Sequence, residues 1–509
     1  MKAAIRCERA LATVLSAATG RRAAVALAAL LTLACLLTRL GTTPITRSAE
    51  QRCDTVARHM VETGEWLVPI EDGAPRLQKP PLFYWAAAAG AAPSGELTRF
   101  ALRLPSVLAA VLLLGLVFAW GRSLGGFDSG ALAGVALLEM AQYWSLARQG
   151  VAEMMLVLFS TAALFVFDRV YWGGRRRLLP LFFLASLLAF LAKATTALLL
   201  IGLPVALQLA LDRRLTRALR RDVLGWAALC ACACLAWYAA VLALVPGAWS
   251  TLREALLLPL GLTKSVGSAA HVRPIWYFLP LLPGLASPAV WVAPLLLARA
   301  PGGARPVLAD PRTRFLLIAF AAILLAFSAF PMKQKHYTLP LLPLLALCLG
   351  ATLQRLALAR PDLLLRVVRG LGTAMLVLAP PIAAGFALHL RVAAEGPVAL
   401  VLAVPAFVLL VGALGFAAGR SGSLRTFAAA SLLYCMATFT TFEASVDVWR
   451  DRFEEGEVDP ASEAGLRWQR LFSDYPPLRR FYRAREWPRE SHAIPRRAQP
   501  DSESDDQIE

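Results

Sequence analysis

Long apolar runs separated by short polar loops dominate this chain of 509 residues. Each run is long enough for an α-helix to cross a hydrocarbon core of roughly 30 Å, and together they predict about 13 transmembrane helices. The predicted spans are 22–40, 102–120, 129–147, 151–170, 178–193, 195–211, 223–246, 275–298, 314–330, 337–354, 367–388, 397–418 and 424–441. We therefore expect an all-α polytopic membrane protein with one transmembrane domain over residues 1–441.

Arginine and lysine are concentrated in alternate short loops, and this alternation predicts the topology. The basic loops are Lys2–Arg22, the turn at Arg122, Arg169–Arg177, Arg213–Arg221, Arg299–Arg314, Arg355–Arg369 and Arg420–Arg425. The positive-inside rule assigns these loops to the cytoplasm, so we expect the N-terminus inside and the C-terminal tail outside. The rule also separates the fifth and sixth spans at Lys193, because fusing them would place two basic loops on opposite faces.

The same topology places residues 41–101 outside the cytoplasm as a long first loop. Within Glu50–Glu62 the less polar residues recur at helical spacing, which predicts an amphipathic helix lying in the plane of the membrane interface. An aromatic, apolar run follows Pro80 and Pro81, and it predicts a second interfacial helix. The first loop is therefore expected to lie on the outer membrane surface.

The chain changes composition after the last predicted span. Residues 442–495 are charged and contain Trp and Pro, and they predict a small extracytoplasmic region. Residues 496–509 are acidic and polar and predict a disordered tail. A hydrophobic content of 58% excludes an ordinary soluble protein. The net charge of +18 indicates the anionic inner face of a membrane rather than a nucleic-acid partner, because it resides in the predicted cytoplasmic loops.

Ionisable residues gather on the predicted outer face, where each is a site candidate because burying charge at a bilayer edge costs free energy. The set is Glu50, Arg52, Lys79, Lys193, His271, Arg273, Lys333, Lys335 and His336, with Glu153 three residues into the fourth span. Single members have simpler explanations: Lys193 could snorkel to the surface, and Glu153 could pair with Arg148. Together, such cations can neutralise a lipid-linked phosphate leaving group while a carboxylate deprotonates an attacking hydroxyl.

Several motifs carry a resemblance to a known family. Those in the first loop are Ala49-Glu50-Gln51-Arg52, Thr63-Gly64-Glu65-Trp66-Leu67-Val68-Pro69 and Gln78-Lys79-Pro80-Pro81-Leu82-Phe83-Tyr84-Trp85. Weaker matches follow at Leu191-Ala192-Lys193, at His271 with Pro274-Ile275-Trp276-Tyr277, and at Lys335-His336-Tyr337. With these motifs the chain resembles the bacterial GT-C glycosyltransferases related to protein O-mannosyltransferases and to 4-amino-4-deoxy-L-arabinose lipid A transferases.

The resemblance implies an enzyme of the bacterial inner membrane that transfers a sugar, with inversion, from a polyprenyl-phosphate donor. The acceptor would be a lipid, a glycan or a protein at the extracytoplasmic face. Glu50 and Glu153 would be the catalytic residues. The donor phosphate would be bound by Arg52, Lys79, Lys193, Arg273, Lys333, Lys335, His336 and Tyr337. His271 would be a metal ligand if a divalent ion takes part.

The chain departs from the family's pattern at three positions. Ala49 stands where the family's acidic pair usually begins with Asp, Glu153 stands where Asp is usual, and Gln78 replaces a Glu that is associated with a metal in some members. The first change leaves either Glu50 or Glu153 as the base, and the third weakens the case for a divalent metal. Two other classes stay open. They are a catalytically impaired relative that binds lipid phosphate, and a polytopic transporter, although transporters usually place ionisable residues near the midplane.

Overall fold

The computed structural model describes residues 18–43, 45, 48–257, 272–282, 309–394, 398–421, 430 and 433. Its helices are α1 (Ala18–Leu37), α2 (Ser48–Thr63), α3 (Leu82–Ala91), α4 (Arg99–Gly125), α5 (Phe127–Leu138), α6 (Ala141–Ala147), α7 (Glu153–Tyr171), α8 (Leu179–Leu211), α9 (Arg221–Leu244), α10 (Ala248–Leu257), α11 (Pro311–Ala329), α12 (Leu341–Ala359), α13 (Pro361–Ala394) and α14 (Val398–Ser421). Short 3-10 turns cover Arg176–Leu178, Leu215–Leu219 and Lys335–Thr338. The predicted regions 442–495 and 496–509 lie outside the described residues, as do most of the predicted spans 275–298 and 424–441.

Helices of membrane-spanning length confirm the predicted all-α polytopic fold. Six of the described segments are long and apolar enough to cross a bilayer: Arg99–Gly125, Glu153–Tyr171, Arg176–Leu211, Arg221–Leu244, Pro311–Ala329 and Lys335–Ala359. The total number of spans stays a prediction. Sheet structure among the described residues is limited to the hairpin of β1 (Ile70–Glu71) and β2 (Ala74–Pro75) and to one bridge between Val272 and Met332.

The helix α4 packs against α5, α7 and α12 in the centre of the described bundle. Glycines allow the helices to approach closely there. A Cβ atom on Gly121 would lie 2.9 Å from the Cα of Gly130, and one on Gly350 would lie 2.5 Å from the carbonyl oxygen of Ser129. Small residues at helix contacts are typical of membrane proteins, where packing rather than water exclusion holds the helices together. These contacts hold α4, α5 and α12 together near the Gly125 end of α4.

The predicted span 129–147 is not one continuous helix, and that prediction was wrong. The helix α5 ends at Leu138, and α6 begins at Ala141. Trp144 stabilises the break, because its indole Nε1 donates a hydrogen bond of 2.6 Å to the carbonyl of Leu138. The hydroxyl of Tyr143 donates to the carbonyl of Ala110 at 2.8 Å and fixes α6 against α4. The short helix α6 is thus held as a separate element.

The helix α8 consists of two arms joined at Lys193. The backbone leaves helical geometry there, with φ −162° and ψ 82°. Both ends of α8 lie near Tyr171, since Leu179 follows it after a short loop and Asp212, just past the far end, accepts a 2.6 Å hydrogen bond from its hydroxyl. Lys193 instead contacts Glu153, at the other end of α7. The chain therefore reverses at Lys193, which agrees with the two spans expected from the loop charges.

The first loop contains the two predicted interfacial helices, α2 and α3. The buried side of α2 consists of the apolar residues Cys53, Val56, Ala57 and Met60, together with the side chain of Glu50 near the start of the helix. Arg52 lies on its exposed side, so the predicted amphipathic character is confirmed. The helix α3 begins directly after Pro81. Trp237 of α9 ties the loop to the bundle, because its Nε1 donates to the carbonyl of Leu67 at 3.0 Å.

Candidate active site

Glu153, the first residue of α7, is surrounded by two lysines and a histidine. Its Oε1 lies 3.3 Å from Nζ of Lys193, 3.6 Å from Nζ of Lys79 and 3.8 Å from Nε2 of His336. Its Oε2 is buried and has no hydrogen-bond partner among the described residues. One carboxylate oxygen thus faces the cations, and the other can accept a proton or a hydrogen bond from a ligand.

Three distant segments of the chain bring these cations together. Lys79 lies just before two prolines, which favour the start of a helix and leave the lysine in the segment that leads into α3. Lys193 occupies the tip of the α8 hairpin. His336 belongs to the 3-10 turn Lys335–Thr338, which precedes α12. The cluster therefore forms only in the folded bundle.

A buried polar network holds the 3-10 turn that carries His336 and Tyr337. Gln142 of α6 donates from Nε2 to the carbonyl of Lys335 at 2.8 Å, and Thr338 donates from Oγ1 to Gln142 Oε1 at 2.5 Å. Both side chains are buried. The ring of Tyr337 then lies 5.4 Å from Nζ of Lys193, a cation–π contact that places a second side chain of this turn in the cluster.

Lys79 and Cys53 both belong to the first loop, but Lys79 is charged and Cys53 is neutral. Burial is the largest single effect and lowers the pKa of Lys79, but its favourable charge interactions, of which that with Glu153 is the strongest, together outweigh burial and hold that pKa above its ordinary value. Lys79 is therefore charged at neutral pH. Burial raises the pKa of the Cys53 thiol to about 11, so this side chain is a neutral, inert neighbour.

Glu50, the other predicted catalytic residue, lies in a different environment. Its Oε1 accepts hydrogen bonds from Nε of Arg103 at 2.7 Å and from the backbone N–H of Gly150 at 2.8 Å. Glu50 and Arg103 are both 3% exposed. Arg103 also donates from Nη1 to the carbonyls of Leu40 and Thr43, at 2.8 and 2.7 Å. A catalytic role for Glu50 stays a prediction, and its engaged carboxylate makes Glu153 the stronger candidate for the base.

The remaining predicted phosphate ligands are not joined to Glu153 by any contact described in the structure. Arg52, Arg273 and Lys335 are exposed. Lys333 is buried, and its Nζ donates to the carbonyl of Arg273 at 3.0 Å. This bond reinforces the bridge between the segments 272–282 and 331–338. Roles for these four residues in donor binding stay predictions.

The residues that the structure describes do not assemble a metal site. His271 lies outside them, and Gln78 is an exposed amide rather than a carboxylate. No group of three His, Cys, Asp or Glu side chains within the described ranges could hold a metal ion. These described residues therefore do not fit a divalent cofactor.

Three residues that shape the site were not predicted from the sequence: Arg103, Gln142 and Thr338. A polar residue inside a predicted span needs a partner. The positions of Arg103 in span 102–120 and Gln142 in span 129–147 could therefore have marked them as members of a polar network. The partner itself was not readable, because Glu50 lies 53 positions from Arg103 and Thr338 lies 196 positions from Gln142.

Among the known proteins that are similar to this chain in sequence are two that share one name. Residues 78–245 match the family model described as dolichyl-phosphate-mannose-protein mannosyltransferase. An undecaprenyl phosphate-alpha-4-amino-4-deoxy-L-arabinose arabinosyl transferase from Aeromonas salmonicida is 30% identical over 320 residues, which are 61% of this chain and 56% of that protein. A protein of the same name from Pseudomonas aeruginosa is 32% identical over 347 residues, which are 65% of this chain and 60% of that protein. The chain thus matches little more than half the length of these relatives.

The fold agrees with this likeness. The crystal structure of ArnT from Cupriavidus metallidurans bound to undecaprenyl phosphate matches with a TM-score of 0.66 at 20% identity, covering 85% of this chain and 77% of that one. The apo form matches with a TM-score of 0.61. The chain is therefore similar in sequence to these arabinosyl transferases and similar in fold to ArnT. The resemblance seen in the first-loop motifs is confirmed, and the segment that matches the family model contains Lys79, Glu153 and Lys193.

Proposed function

We propose that this chain is a membrane glycosyltransferase that moves a sugar from a polyprenyl-phosphate donor to a lipid, glycan or protein acceptor. The observation that carries the proposal is the contact of Glu153 with Lys79, Lys193 and His336. The relatives from Aeromonas and Pseudomonas are named for a sugar on undecaprenyl phosphate. We extend the polyprenyl-phosphate carrier to this chain, but not the particular sugar.

The charges of the cluster suit a phosphate leaving group. Lys79 and Lys193 together exceed the single charge of Glu153 and can neutralise the one negative charge of a sugar phosphodiester. When the bond to the sugar breaks, the phosphate becomes a monoester and gains negative charge. A protonated His336 at the same site would stabilise that added charge, which is present only as the bond breaks.

Glu153 is the proposed general base. Its buried Oε2 can accept the proton of the acceptor hydroxyl while that oxygen attacks the anomeric carbon. The new carbon–oxygen bond forms as the bond between the anomeric carbon and the phosphate oxygen breaks, and the electron pair of the broken bond stays on the phosphate. One displacement of this kind inverts the anomeric centre, so we propose an inverting transfer.

The proposed location of the reaction follows from the loop charges. The cluster lies at the end of α7 opposite to Tyr171, and the arginine-rich segments 172–178 and 212–221 lie at the Tyr171 end. The positive-inside rule places that basic end in the cytoplasm. The reaction would then take place at the extracytoplasmic face of the bacterial inner membrane, with the N-terminus in the cytoplasm.

The test is transfer by the purified protein in lipid nanodiscs. Wild type and Glu153→Gln would be incubated with a panel of radiolabelled undecaprenyl-phosphate sugars and membrane lipid or protein acceptors. Arg366→Gln is the matched control, since Arg366 is an exposed arginine of α13 with 70% side-chain exposure. We expect transfer by wild type and the control but not by Glu153→Gln. Donor binding without turnover by wild type would indicate an impaired relative, and neither binding nor turnover would favour a transporter.

A further inference from the structure

The loop that precedes Glu153 is fastened to three other helices. Arg148 donates from Nη1 to the carbonyl of Cys35 in α1 at 3.3 Å. Gly150 donates its N–H to Glu50 of α2, and the carbonyl of Val151 accepts a 3.0 Å hydrogen bond from Ser106 of α4. The position of the candidate base is therefore determined by contacts that lie outside α7.

We infer that Glu50 is a positioning residue: through the N–H of Gly150 it fixes the loop that sets Glu153, and it does not itself exchange a proton with substrate. This inference rests on the proposed function only for its catalytic consequence. Glu50 can hold the loop rigidly because Arg103 holds Glu50 and is itself anchored on the carbonyls of Leu40 and Thr43. We use the name clasp for Gly150 together with Leu40, Thr43, Glu50 and Arg103.

Burial explains why the clasp needs a charged pair. A lone carboxylate or guanidinium at 3% exposure would be strongly disfavoured, and each is acceptable only beside the other. The loop also has little room to move towards α4, because a Cβ atom on Gly150 would lie 2.5 Å from Cγ of Leu102, the neighbour of Arg103. A loop held this closely places the carboxylate of Glu153 within the narrow tolerance that proton transfer requires.

Two double variants test the inference, because they differ at one position only. Glu50→Gln/Arg103→Met removes both buried charges but keeps an oxygen that can accept from Gly150. Glu50→Leu/Arg103→Met removes the charges and the acceptor. We expect the first to keep kcat within about threefold of wild type, and the second to lose roughly 10- to 100-fold in kcat with the donor KM nearly unchanged. The KM should hold because Lys79, Lys193 and His336 are supplied by other segments.

Hydrogen exchange measures how tightly the clasp holds the loop, and it does so independently of activity. Deuterium uptake by peptides covering residues 148–156 should be faster in Glu50→Leu/Arg103→Met than in Glu50→Gln/Arg103→Met, whereas peptides from α12 should exchange alike. Asp168→Asn/Arg312→Gln is the control, since it neutralises a buried pair near the other end of α7 and should leave kcat unchanged.

Three results would overturn the inference. Equal uptake at 148–156 in the two double variants would show that Gly150 is not held by position 50. Equal kcat in both would remove the positioning role. A folded, donor-binding Glu50→Gln/Arg103→Met as inactive as Glu153→Gln would make Glu50 the base. A wild-type chain that turns over no polyprenyl-phosphate sugar would instead contradict the proposed function, and the exchange comparison would still decide the clasp.

Discussion

Lys193 and Glu153 meet at 3.3 Å between Nζ and Oε1, where the reversal of α8 touches the start of α7. The break in helical geometry at Lys193 places its ammonium at the tip of the hairpin, and the tip in turn contacts the candidate base. A lysine inside an apolar segment is costly unless it is paired, so the ion pair stabilises the reversal. One contact thus links the course of the chain through the membrane to the chemistry of the site.

Glu153→Gln should separate catalysis from donor binding. The amide cannot accept the proton of the attacking hydroxyl, so kcat should fall by roughly 10²- to 10⁴-fold. Binding of undecaprenyl phosphate should be kept or tightened, because the negative charge that competes for Lys79 and Lys193 is gone. Single-turnover transfer and titration with the lipid phosphate measure the two quantities. Full turnover by this variant would exclude Glu153 as the base.

Lys79→Ala should weaken donor binding while the protein remains folded. Loss of one charge-assisted contact to phosphate typically lowers affinity about 10- to 100-fold. Arg58→Ala is the matched control, since Arg58 pairs with Asp54 on α2 with 43% of its side chain exposed. Thermal stabilisation by undecaprenyl phosphate reports the affinity. Equal stabilisation of the two variants would remove Lys79 from the phosphate site.

The cations of the site could be anticipated because the sequence signal is local. Lys193 interrupts an apolar run between two basic loops, and Lys79 precedes two prolines. The charge rule then assigns both to the same face of the membrane without any knowledge of packing. Their contact with Glu153 does not follow from topology alone, since Arg52 and Arg273 are assigned to the same face and have no described contact with Glu153.

The role of Glu50 could not be anticipated in the same way. Its motif marks it as chemically important, but whether a carboxylate is free or engaged depends on a partner 53 residues away. Periodicity likewise failed at Glu139 and Met140, where the helix ends although the apolar pattern continues, and a local hydrogen bond from Trp144 to Leu138 stabilises the break. The apolar pattern contains neither kind of hydrogen bond, the distant one at Glu50 or the local one at Leu138.

Cys53 should react slowly with alkylating reagents. Burial raises the pKa of its thiol to about 11, so at pH 8 its thiolate fraction is on the order of a hundredfold lower than that of an ordinary cysteine. The rate should rise about tenfold per pH unit until the pKa is reached. Gln51→Cys, on the exposed side of α2, is the comparison. Mass spectrometry after timed exposure to iodoacetamide gives both rates, and equal rates at pH 8 would contradict the buried position of Cys53.

Asp168→Asn should lower stability without lowering turnover per folded molecule. Asp168 is 1% exposed and accepts from Nε of Arg312 at 2.7 Å, so its loss leaves a largely buried guanidinium without its counter-charge. The free energy of unfolding should fall by roughly 3 to 5 kcal/mol. Activity should persist because Asp168 lies fifteen residues after Glu153, about 22 Å along α7. Asp362→Asn, in an exposed pair, should cost far less stability. Loss of kcat in Asp168→Asn at full folding would contradict this separation.

Gly150→Ala should lower activity by shifting the loop that contains Gly150 and precedes Glu153. The added Cβ would lie 2.5 Å from Cγ of Leu102, so either the loop or α4 must move, and with it the hydrogen bond from Gly150 to Glu50. We expect kcat to fall about tenfold or more. Gly115→Ala, on the same helix as Leu102, meets nothing within 4 Å and should stabilise the protein by roughly 0.5 to 1 kcal/mol at unchanged activity.

The double variant Gly150→Ala/Leu102→Ala shows whether crowding is the cause of that loss. Shortening Leu102 removes the atoms that the new methyl group would meet, so kcat should recover most of what Gly150→Ala loses, although the smaller side chain lowers stability. Transfer rates and melting temperatures of the four variants complete the cycle. If the double variant is as slow as Gly150→Ala alone, the loss arises from backbone preference rather than from contact with Leu102. The loop would then owe its position to its own conformation and not to the packing of α4.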